Sequence, residues 1–554
     1  MFVEEPVYGT RGMITSMHYL ATQAGFRMLV QGGNAVDAAI AAGIAMTVLI
    51  PPACSAGGDM FLLFWDAKTK QLHALNGSGR APRNISTQYF ASRKLKKIPW
   101  RGPLSVTVPG AVDGWFEAMA RFGTLTPETI FSPAIEFAEN GVPTSQSLST
   151  WLANDARSIL QVWGSDPAKF LPNGIPPKAG ELLYQPALAD TYRLLMKEGR
   201  DVFYRGSLAQ SLVKEVERRG GLLTQEDMDQ HRSTWVEPLT SNYRGYDVYE
   251  FPPNSQGIIA LEMLNILEGF DLASLGYQTA PYLHILIEAA RLAFADRDAY
   301  ISDPEFVDIP IEQLLCKEYA ERQRSRISME QAAPYFDPAP EREADTITVC
   351  VADQEGNIAL LMESLGSPFG SGILVEDTGI FLHNRGSYFS LDPRHPNYLR
   401  PKKRTMHTFM PAMVMQDGIP IIALGSIGGD IQPQIQVQLL SALIDFGFNA
   451  QKAITAPRWR SRRIRRTPKD EVQELNGQRE IDEYPHQHIT EVVILEERFP
   501  KTLIAQLQQL GHQIVVKGPW DHSMGPTQAI AFHPHTHVYE GASDPRNDSL
   551  ALGW

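Results

Sequence analysis

The sequence predicts an α/β fold built of four layers, in which two layers of β-strands lie between two layers of helices. Three observations support this prediction. Helical patterns with capping residues lie near the N-terminus, a long and mostly helical stretch follows, and the last part of the chain contains strand hairpins separated by a helix. Strands with helices on both sides bury their apolar faces best as a helix, sheet, sheet and helix stack.

Two helices are predicted near the N-terminus. Apolar residues recur at helical spacing from His18 to Gln31, and Gly32 follows as a C-cap signal. Asn34 can cap a second helix over Ala35–Leu49, which Pro51 ends. The second helix is rich in alanine, so it can pack closely against a neighbour.

A hairpin and a helical region follow. Phe61–Trp65 and Gln71–Leu75 are apolar runs joined by a polar turn, which predicts two paired strands. From about Ala111 to Ser325 the pattern is mostly helical, with loops between the helices.

After residue 345 the pattern changes to strands. Thr346–Ala352 and Ile358–Ser364 flank a glycine-containing turn, and Met413–Leu424 contains an Asp-Gly turn, so both segments predict hairpins. The remaining elements are a helix and two strands, at about Gln434–Phe446, Gln528–Phe532 and His537–Tyr539. No internal repeat or shift in composition indicates an independent second domain.

The composition excludes several classes of function. Of the 554 residues, 43% are hydrophobic and 20% are charged, which is typical of soluble globular proteins. The formal net charge of −13 argues against non-specific nucleic-acid binding and against a polybasic membrane surface. Three scattered cysteines indicate a reducing compartment. The N-terminus lacks signal-peptide features and Ala38–Ile50 is too short to span a bilayer, so we expect a cytoplasmic protein.

Two segments have both a functional and a plain interpretation. The charged stretch from Arg458 to His488 could bind an anion or a partner, but a solvated insertion loop is favoured. His533, His535 and His537 could suggest a metal site. They fall at a turn between two strands, with no carboxylate or cysteine at ligand spacing, so we expect no metal there.

Thr346 stands at a junction between two kinds of sequence. The Pro- and acid-rich stretch Gln331–Asp345 has little to bury, which predicts a mobile linker, and a β-branched strand begins at Thr346. A threonine hydroxyl with its own free α-amine as base is a known nucleophile arrangement, so the junction is a candidate for self-cleavage. On local evidence alone, a threonine that simply opens a strand is the more frequent situation.

Sequence motifs along nearly the whole chain favour self-cleavage at this junction. They are Gly12–Ala21, Gly32–Ala39, Ser105–Trp115, Ala293–Pro304, Thr346–Asn357, Phe369–Gly372, Gly425–Gly429 and Gly541–Arg546. As an ordered set they are specific, and the chain resembles the γ-glutamyltranspeptidase family of N-terminal-nucleophile hydrolases.

The resemblance implies a precursor that cleaves itself before a threonine, here between Asp345 and Thr346. The pieces 1–345 and 346–554 would fold together as a large and a small subunit of one αββα sandwich. The resemblance implies a small-molecule substrate and no cofactor. It leaves open whether two such heterodimers pair into a homodimer.

The resemblance also implies catalytic roles. Thr346 would form the acyl-enzyme, and its freed amine would act as the base. Ser364 stands where the family usually has a second threonine that hydrogen-bonds the nucleophile; a polar residue that ends a strand is the alternative. Gly428 and Gly429 match the pair whose backbone N–H groups form the oxyanion hole.

The predicted substrate pocket departs from the family pattern. The position of the family's carboxylate-binding arginine aligns with Ser78, and Arg80 is displaced from it by two residues. A serine pair of the family is represented by His407 and Thr408.

The segment that normally grips the α-amino group begins here at Asn384 and differs at two positions. Arg385 replaces an uncharged residue, and Tyr388 replaces the carboxylate that binds an ammonium group. This exchange favours an anion over an ammonium, as in the γ-glutamyltransferase-like subgroup that includes acylases and amidohydrolases. The short Phe389–Arg404 connection indicates a less covered site.

We therefore expect a self-processing γ-glutamyl transferase and hydrolase for amides such as glutathione. One alternative is an amidohydrolase or acylase for a small dicarboxylic amide or glutaryl-type acyl group that lacks the α-amino group. A second alternative is an unprocessed binding protein on the same fold.

Overall fold

A computed structural model of the chain describes residues 5–333, 344–465 and 489–554. Most of the predicted linker, and the end of the charged segment, lie outside the described residues. No helix within these three ranges is both long enough and apolar enough to cross a lipid bilayer.

The strands before residue 345 are β1 (Val7–Gly9), β2 (Met13–Ser16), β3 (Asp59–Asp66), β4 (Gln71–Asn76), β5 (Val142–Pro143), β6 (Leu182–Leu183), β7 (Thr234–Val236), β8 (Leu239–Tyr243) and β9 (Tyr246–Glu250). The later strands are β10 (Asp345–Ala352), β11 (Ile358–Gly366), β12 (Leu374–Val375), β13 (Ile380–Phe381), β14 (Ala412–Gln416), β15 (Ile419–Ser426), β16 (Trp459–Arg465), β17 (Ile489–Glu496), β18 (Ile514–Lys517), β19 (Thr527–His533), β20 (Val538–Ser543) and β21 (Leu550–Gly553).

The helices before residue 200 are α1 (Tyr19–Val30), α2 (Ala35–Leu49), α3 (Thr87–Ser92), α4 (Ala111–Phe122), α5 (Pro127–Asn140), α6 (Gln146–Trp151), α7 (Arg157–Leu160) and α8 (Pro186–Glu198). The later helices are α9 (Arg200–Tyr204), α10 (Ser207–Arg218), α11 (Gln225–Asp229), α12 (Ile258–Leu267), α13 (Leu272–Leu275), α14 (Ala280–Tyr300), α15 (Ile311–Leu315), α16 (Lys317–Arg324), α17 (Gln432–Ile444), α18 (Ala450–Thr455) and α19 (Lys501–Gln509).

Two seven-stranded sheets form the centre of the fold. The first has the strand order β1-β20-β19-β15-β14-β9-β8, and the second has the order β21-β2-β10-β11-β3-β4-β7. Each sheet therefore combines strands from both sides of residue 345. Apolar side chains from both sheets, among them Phe61, Cys350 and Met413, pack together between them.

Helices cover the outer face of each sheet. On the second sheet, α2 is buried along its whole length and packs on β10 and β11, with α1 beside it. On the first sheet, α12 and α17 pack on the strands, and α14 lies against both helices. Burial of these apolar faces from both sides confirms the predicted helix, sheet, sheet and helix order.

The local patterns near the N-terminus are confirmed. The side chain of Asn34 accepts the N–H groups of Val36 and Asp37, and the Asp37 carboxylate accepts the N–H of Asn34, so α2 begins with a capping box. Gly43 of α2 lies so close to β11 that an added Cβ would be 2.9 Å from the Glu363 side chain. Close packing of α2 on the sheet therefore depends on small residues.

The predicted hairpins β3–β4, β10–β11, β14–β15 and β19–β20 are also confirmed. In the stretch predicted as mostly helical, the structure adds the two-residue strands β5 and β6 and the longer strands β7, β8 and β9. The β8–β9 turn places Arg244 and Gly245 at positive φ, 53° and 87°. The strands β7, β8 and β9 are short and largely half-exposed, so their apolar pattern is weak.

The prediction of a solvated loop is wrong for the beginning of the charged segment. Trp459–Arg465 form β16, which pairs with β17, and Arg458 is buried. Its Nη2 lies 2.7 Å from the Asp544 carboxylate, and its Nη1 donates to the carbonyl of Met524. A guanidinium can stay inside a protein when carboxylate and carbonyl partners replace water, which the sequence pattern could not reveal.

Candidate active site

Thr346 is buried near the start of β10, at an irregular point of the sheet. Asp345 pairs with Gly366, whereas Ile347 pairs with Glu363. Ser364 and Leu365 of β11 therefore both lie opposite the single residue Thr346. This irregularity is a β-bulge of the kind found beside active sites. The Thr346 hydroxyl has no hydrogen-bond partner among the described residues.

Ser364 contacts the peptide bond that precedes Thr346. Its hydroxyl donates to the carbonyl oxygen of Asp345 and accepts the N–H of Gly366 at 2.6 Å. The contact joins Ser364 to the predicted scissile carbonyl in the continuous chain. A hydrogen bond at this oxygen makes the carbonyl carbon more open to attack by a nearby hydroxyl.

Gly428 and Gly429 form a tight turn directly after β15. Both have positive φ, 107° and 68°. An added Cβ on Gly428 would lie 2.7 Å from the Ile431 side chain, so the turn requires glycine. Neither backbone N–H has a hydrogen-bond partner within the described part of the chain. The turn thus offers the donors that an oxyanion hole needs.

A buried polar network holds this turn in place. Gln256 donates through Nε2 to the carbonyls of Gly429 and Thr408, at 3.0 and 3.1 Å. Arg297 donates to the side chain of Gln256 and pairs with Asp430 at 2.7 Å. The glycine turn and the segment of Thr408 are therefore fixed to one another through side chains of the large predicted subunit.

Arg385 is a buried guanidinium with free donors. Its Nη1 contacts the hydroxyls of Tyr388 and Thr408, at 3.3 and 3.1 Å. Nε and Nη2 have no hydrogen-bond partner among the residues that the structure describes. These two atoms form one edge of the guanidinium, the edge that binds a carboxylate in a bidentate manner. The position can therefore hold an anion.

Asp59, His383 and His407 form a cluster beside Arg385. Asp59 lies opposite Ser364 in the β3–β11 ladder. Its Oδ2 is 3.3 Å from Nε2 of His407 and 3.4 Å from Nδ1 of His383. Burial alone would raise the pKa of Asp59, but the two histidines hold it well below its usual value. Burial and the charge of Arg385 lower the pKa of His407 to about 3.

Three other predicted pocket residues already have protein partners. The Ser78 hydroxyl donates to Asn76 at 2.6 Å. Arg80 pairs with Glu305 at 2.5 Å. The Asn384 side chain donates to the carbonyl of Trp100 and accepts from the N–H of Ser367. The substrate-binding roles of Arg80 and Asn384 stay predictions, and the structure brings Tyr388, His407 and Thr408 together around Arg385.

The motif of three histidines lies at the β19–β20 turn. Nε2 of His533 is 3.1 Å from Glu540, and His537 has a positive φ of 54° in the turn itself. His535 is exposed.

Asp59 and His383 are site residues that sequence reasoning missed. Asp59 is the first residue of β3, His383 follows the short strand β13, and each reaches the site only through long-range pairing. The available signal was Asp59 itself, a carboxylate at the beginning of the otherwise apolar strand β3, in register with Ser364.

Comparisons with known proteins agree with this geometry. The sequence profile of the family described as Gamma-glutamyltranspeptidase matches residues 21–554. The glutathione hydrolase-like YwrD proenzyme of Bacillus subtilis is 38% identical, with 100% of both chains covered. The oxamate amidohydrolase proenzyme of Klebsiella pneumoniae is 33% identical, over 98% of this chain and 99% of the relative.

A solved structure is similar over the same length. The cephalosporin acylase of Bacillus halodurans superposes with a TM-score of 0.88 and is 36% identical, over 100% of this chain and 98% of that one.

Proposed function

This chain belongs to the gamma-glutamyltranspeptidase family, and from that premise we propose that it cuts itself before Thr346 and then hydrolyses or transfers γ-glutamyl groups of amides such as glutathione. The observation that carries the proposal is the arrangement at the Asp345–Thr346 bond. The buried Thr346 hydroxyl, which has no hydrogen-bond partner in the described part of the chain, follows a carbonyl that Ser364 already polarises.

Self-cleavage requires only groups at this junction and water. The Thr346 oxygen attacks the carbonyl carbon of Asp345, the C–N bond breaks, and the acyl group moves from nitrogen to oxygen as an ester, while the hydroxyl proton passes to the released nitrogen. Water then hydrolyses the ester, which releases the Asp345 carboxyl group and leaves Thr346 with a free amine. This amine is the base that the intact chain lacks.

Turnover repeats the attack on an external amide. The amine of Thr346 takes the hydroxyl proton as the oxygen attacks the substrate carbonyl, and gives a proton to the leaving amine. The N–H groups of Gly428 and Gly429 stabilise the oxyanion. Water completes hydrolysis of the acyl-enzyme, and an acceptor amine completes transfer.

Mass measurement of the purified protein tests the cleavage. We expect two pieces that correspond to 1–345 and 346–554. Thr346→Ala should stay intact, whereas Thr346→Ser keeps a hydroxyl and should still be cut. Cleavage of Thr346→Ala at the same bond would contradict the assignment of the nucleophile.

A second candidate function is hydrolysis of an amide whose acyl group ends in a carboxylate and lacks an α-amino group. Arg385 favours it because its free Nε and Nη2 can bind such a carboxylate. Asp59 is engaged by two histidines, and Tyr388 replaces the carboxylate that binds an ammonium group in the family pattern. The names of relatives that include an oxamate amidohydrolase and a cephalosporin acylase support this candidate.

Two chromogenic substrates separate the candidates. The γ-glutamyl and glutaryl derivatives of p-nitroaniline differ only by the α-amino group. A higher kcat/KM for the γ-glutamyl compound supports the first function, and a higher value for the glutaryl compound supports the second. Arg385→Gln should lower kcat/KM for the preferred compound in either case, because both carry the distal carboxylate.

We also propose a cytoplasmic location, which the free state of Cys54, Cys316 and Cys350 supports. Cell fractionation tests it. Pairing of two heterodimers into a homodimer stays a prediction that light scattering can decide.

A further inference from the structure

A second cluster of titratable side chains lies buried between α14 and the turn after α19. Its members are His284, Glu288 and His512, and one ligand-type atom from each lies within 4.8 Å of the others. All three side chains are almost fully buried. His284 and Glu288 are four residues apart on α14, so they project from the same face of the helix.

Hydrogen bonds determine which ring nitrogens face the cluster. Nε2 of His284 lies 2.6 Å from the carbonyl oxygen of Ser328, so this nitrogen carries the proton. Nδ1 of the neutral ring then presents a lone pair to Nε2 of His512, 2.8 Å away. A carbonyl acceptor behind the ring is the arrangement that orients metal-binding histidines.

Glu288 is also held by groups behind it. One carboxylate oxygen accepts the N–H of Ala333 at 3.1 Å, and the other pairs with Arg291. Arg291 pairs in turn with Glu491 at 2.7 Å. The two carboxylates and one guanidinium leave one net negative charge beside two imidazole rings, so the surroundings favour a cation.

We propose that His284, Glu288 and His512 bind a divalent transition-metal ion, and that Zn²⁺ fits best. Two imidazole nitrogens and one carboxylate oxygen are a donor set typical of zinc. The two facing nitrogens have to separate from 2.8 Å to about 3.3 Å, the distance that two tetrahedral Zn–N bonds require. A small rotation of either ring provides this distance.

Nδ1 of His512 can accept the proton that lies between the two rings. Nδ1 of His512 is buried without a hydrogen-bond partner among the described residues. When the ion binds, the His512 ring loses the proton on Nε2 and gains one on Nδ1, which changes its tautomer without a change in charge. Nδ1 of His284 already presents a lone pair, so this ring needs no change.

The site joins the two pieces expected from self-cleavage. His284 and Glu288 belong to the piece 1–345, and His512 belongs to 346–554. The N–H of Ala332 donates to the carbonyl of Leu510 at 2.7 Å, so the end of the first described range is held at the same place. Binding of the ion therefore stabilises the association of the two pieces. It does not require the proposed substrate.

The test uses the purified full-length protein, stripped with a chelator, incubated with a small excess of Zn²⁺ and passed through a desalting column. Elemental analysis should find about one Zn²⁺ per chain. Co²⁺ in place of zinc should give the strong visible absorption of a tetrahedral site. Retention of fewer than about 0.1 ions, or only the weak absorption of octahedral aqueous Co²⁺, overturns the proposal.

Two glutamine variants localise the ion. His512→Gln keeps an amide N–H that can donate to Nδ1 of His284 but removes the metal ligand, so zinc affinity should fall at least tenfold. The zinc-dependent rise in Tm should disappear with it. His535→Gln removes an exposed histidine at the β19–β20 turn and should bind zinc like the wild type. Unchanged affinity in His512→Gln, or loss in His535→Gln alone, contradicts the site.

Discussion

The hydroxyl of Ser364 donates a hydrogen bond to the carbonyl oxygen of Asp345, the carbonyl group that Thr346 attacks in the proposed self-cleavage. The same hydroxyl oxygen accepts the N–H of Gly366, so its proton is directed to the carbonyl. Sequence resemblance implied a contact between Ser364 and the nucleophile. In the uncut chain Ser364 instead contacts the carbonyl of Asp345, so we expect it to take part in the proposed cleavage as well.

Replacement of Ser364 should slow self-cleavage. Ser364→Ala removes the donor to the Asp345 carbonyl, and we expect cleavage to be about 100-fold slower, as for loss of one oxyanion donor. Ser364→Thr restores a hydroxyl and should recover most of the rate. The ratio of full-length to cut protein over time measures the effect, and wild-type cleavage in Ser364→Ala would show that the hydrogen bond is dispensable.

Replacement of Gly428 should impair catalysis through the backbone. Alanine at φ 107° is strained, and its Cβ would meet Ile431 at 2.7 Å, so the N–H groups of the turn must move. We expect kcat to fall by about 100- to 1,000-fold with a smaller change in KM. Gly447→Ala is a matched control, since Gly447 also has positive φ, 63°, but no atom within 4 Å of an added Cβ. An equal loss in both variants would indicate backbone strain alone.

We expect Arg385 to contribute to substrate binding and to lower the free energy of unfolding. Its buried guanidinium has two nitrogens without a hydrogen-bond partner among the residues described, so Arg385→Met should keep or raise the free energy of unfolding, by about 1 kcal/mol. The same variant should lose at least tenfold in kcat/KM for a substrate with a distal carboxylate. Denaturant titration and kinetics measure the two effects separately. A clearly less stable variant with intact kinetics would assign Arg385 a structural role.

The free energy of unfolding should fall on mild acidification. Burial lowers the pKa of His407 to about 3 and those of His18 and His231 to about 4. The unfolded chain binds these protons near pH 6.5, so stability is lost as pH falls from about 6.5 towards 4. Each histidine contributes up to about 1.4 kcal/mol per pH unit. The low pKa of Asp59 adds a further loss only below about pH 4.

His18→Asn tests one contribution. Nδ1 of His18 accepts the N–H of Leu20 at the beginning of α1, and asparagine is a good N-cap that does not titrate. Denaturant titrations at pH 7.5 and pH 5 should show a smaller difference for the variant than for the wild type. An identical difference would mean that His18 does not take part.

Local sequence signals predicted the framework of the site but not its charged surroundings. The strand at Thr346, the hairpin to Ser364 and the glycine turn all depend on neighbouring residues, which a linear pattern records. Arg385 was predicted as an anion-binding residue, and the structure adds that its donors are free. The linker and the strand that meet at Thr346 marked only a candidate for self-cleavage, and the family resemblance made self-cleavage the expectation.

The missed features depend on pairing between distant segments. His407 reaches Asp59 across 348 positions of the chain, and Arg458 reaches Asp544 across the fold. Each of these residues looks solvent-exposed in its local sequence because its partner is remote. Burial of a charge can be inferred only when the opposite charge is placed beside it.

The strand order affects whether the protein can refold after it has been cut. β10 lies between β2 of the first piece and β11 of its own, and both sheets interleave strands from the two pieces. Before the cut, folding is a unimolecular reaction of one chain. Afterwards, two separate polypeptides would have to meet and thread their strands together, so refolding becomes second order and depends on concentration. If the chain is cut as proposed, we expect it to fold before the cut, and the cut enzyme to stay active only as long as its unfolding is slow.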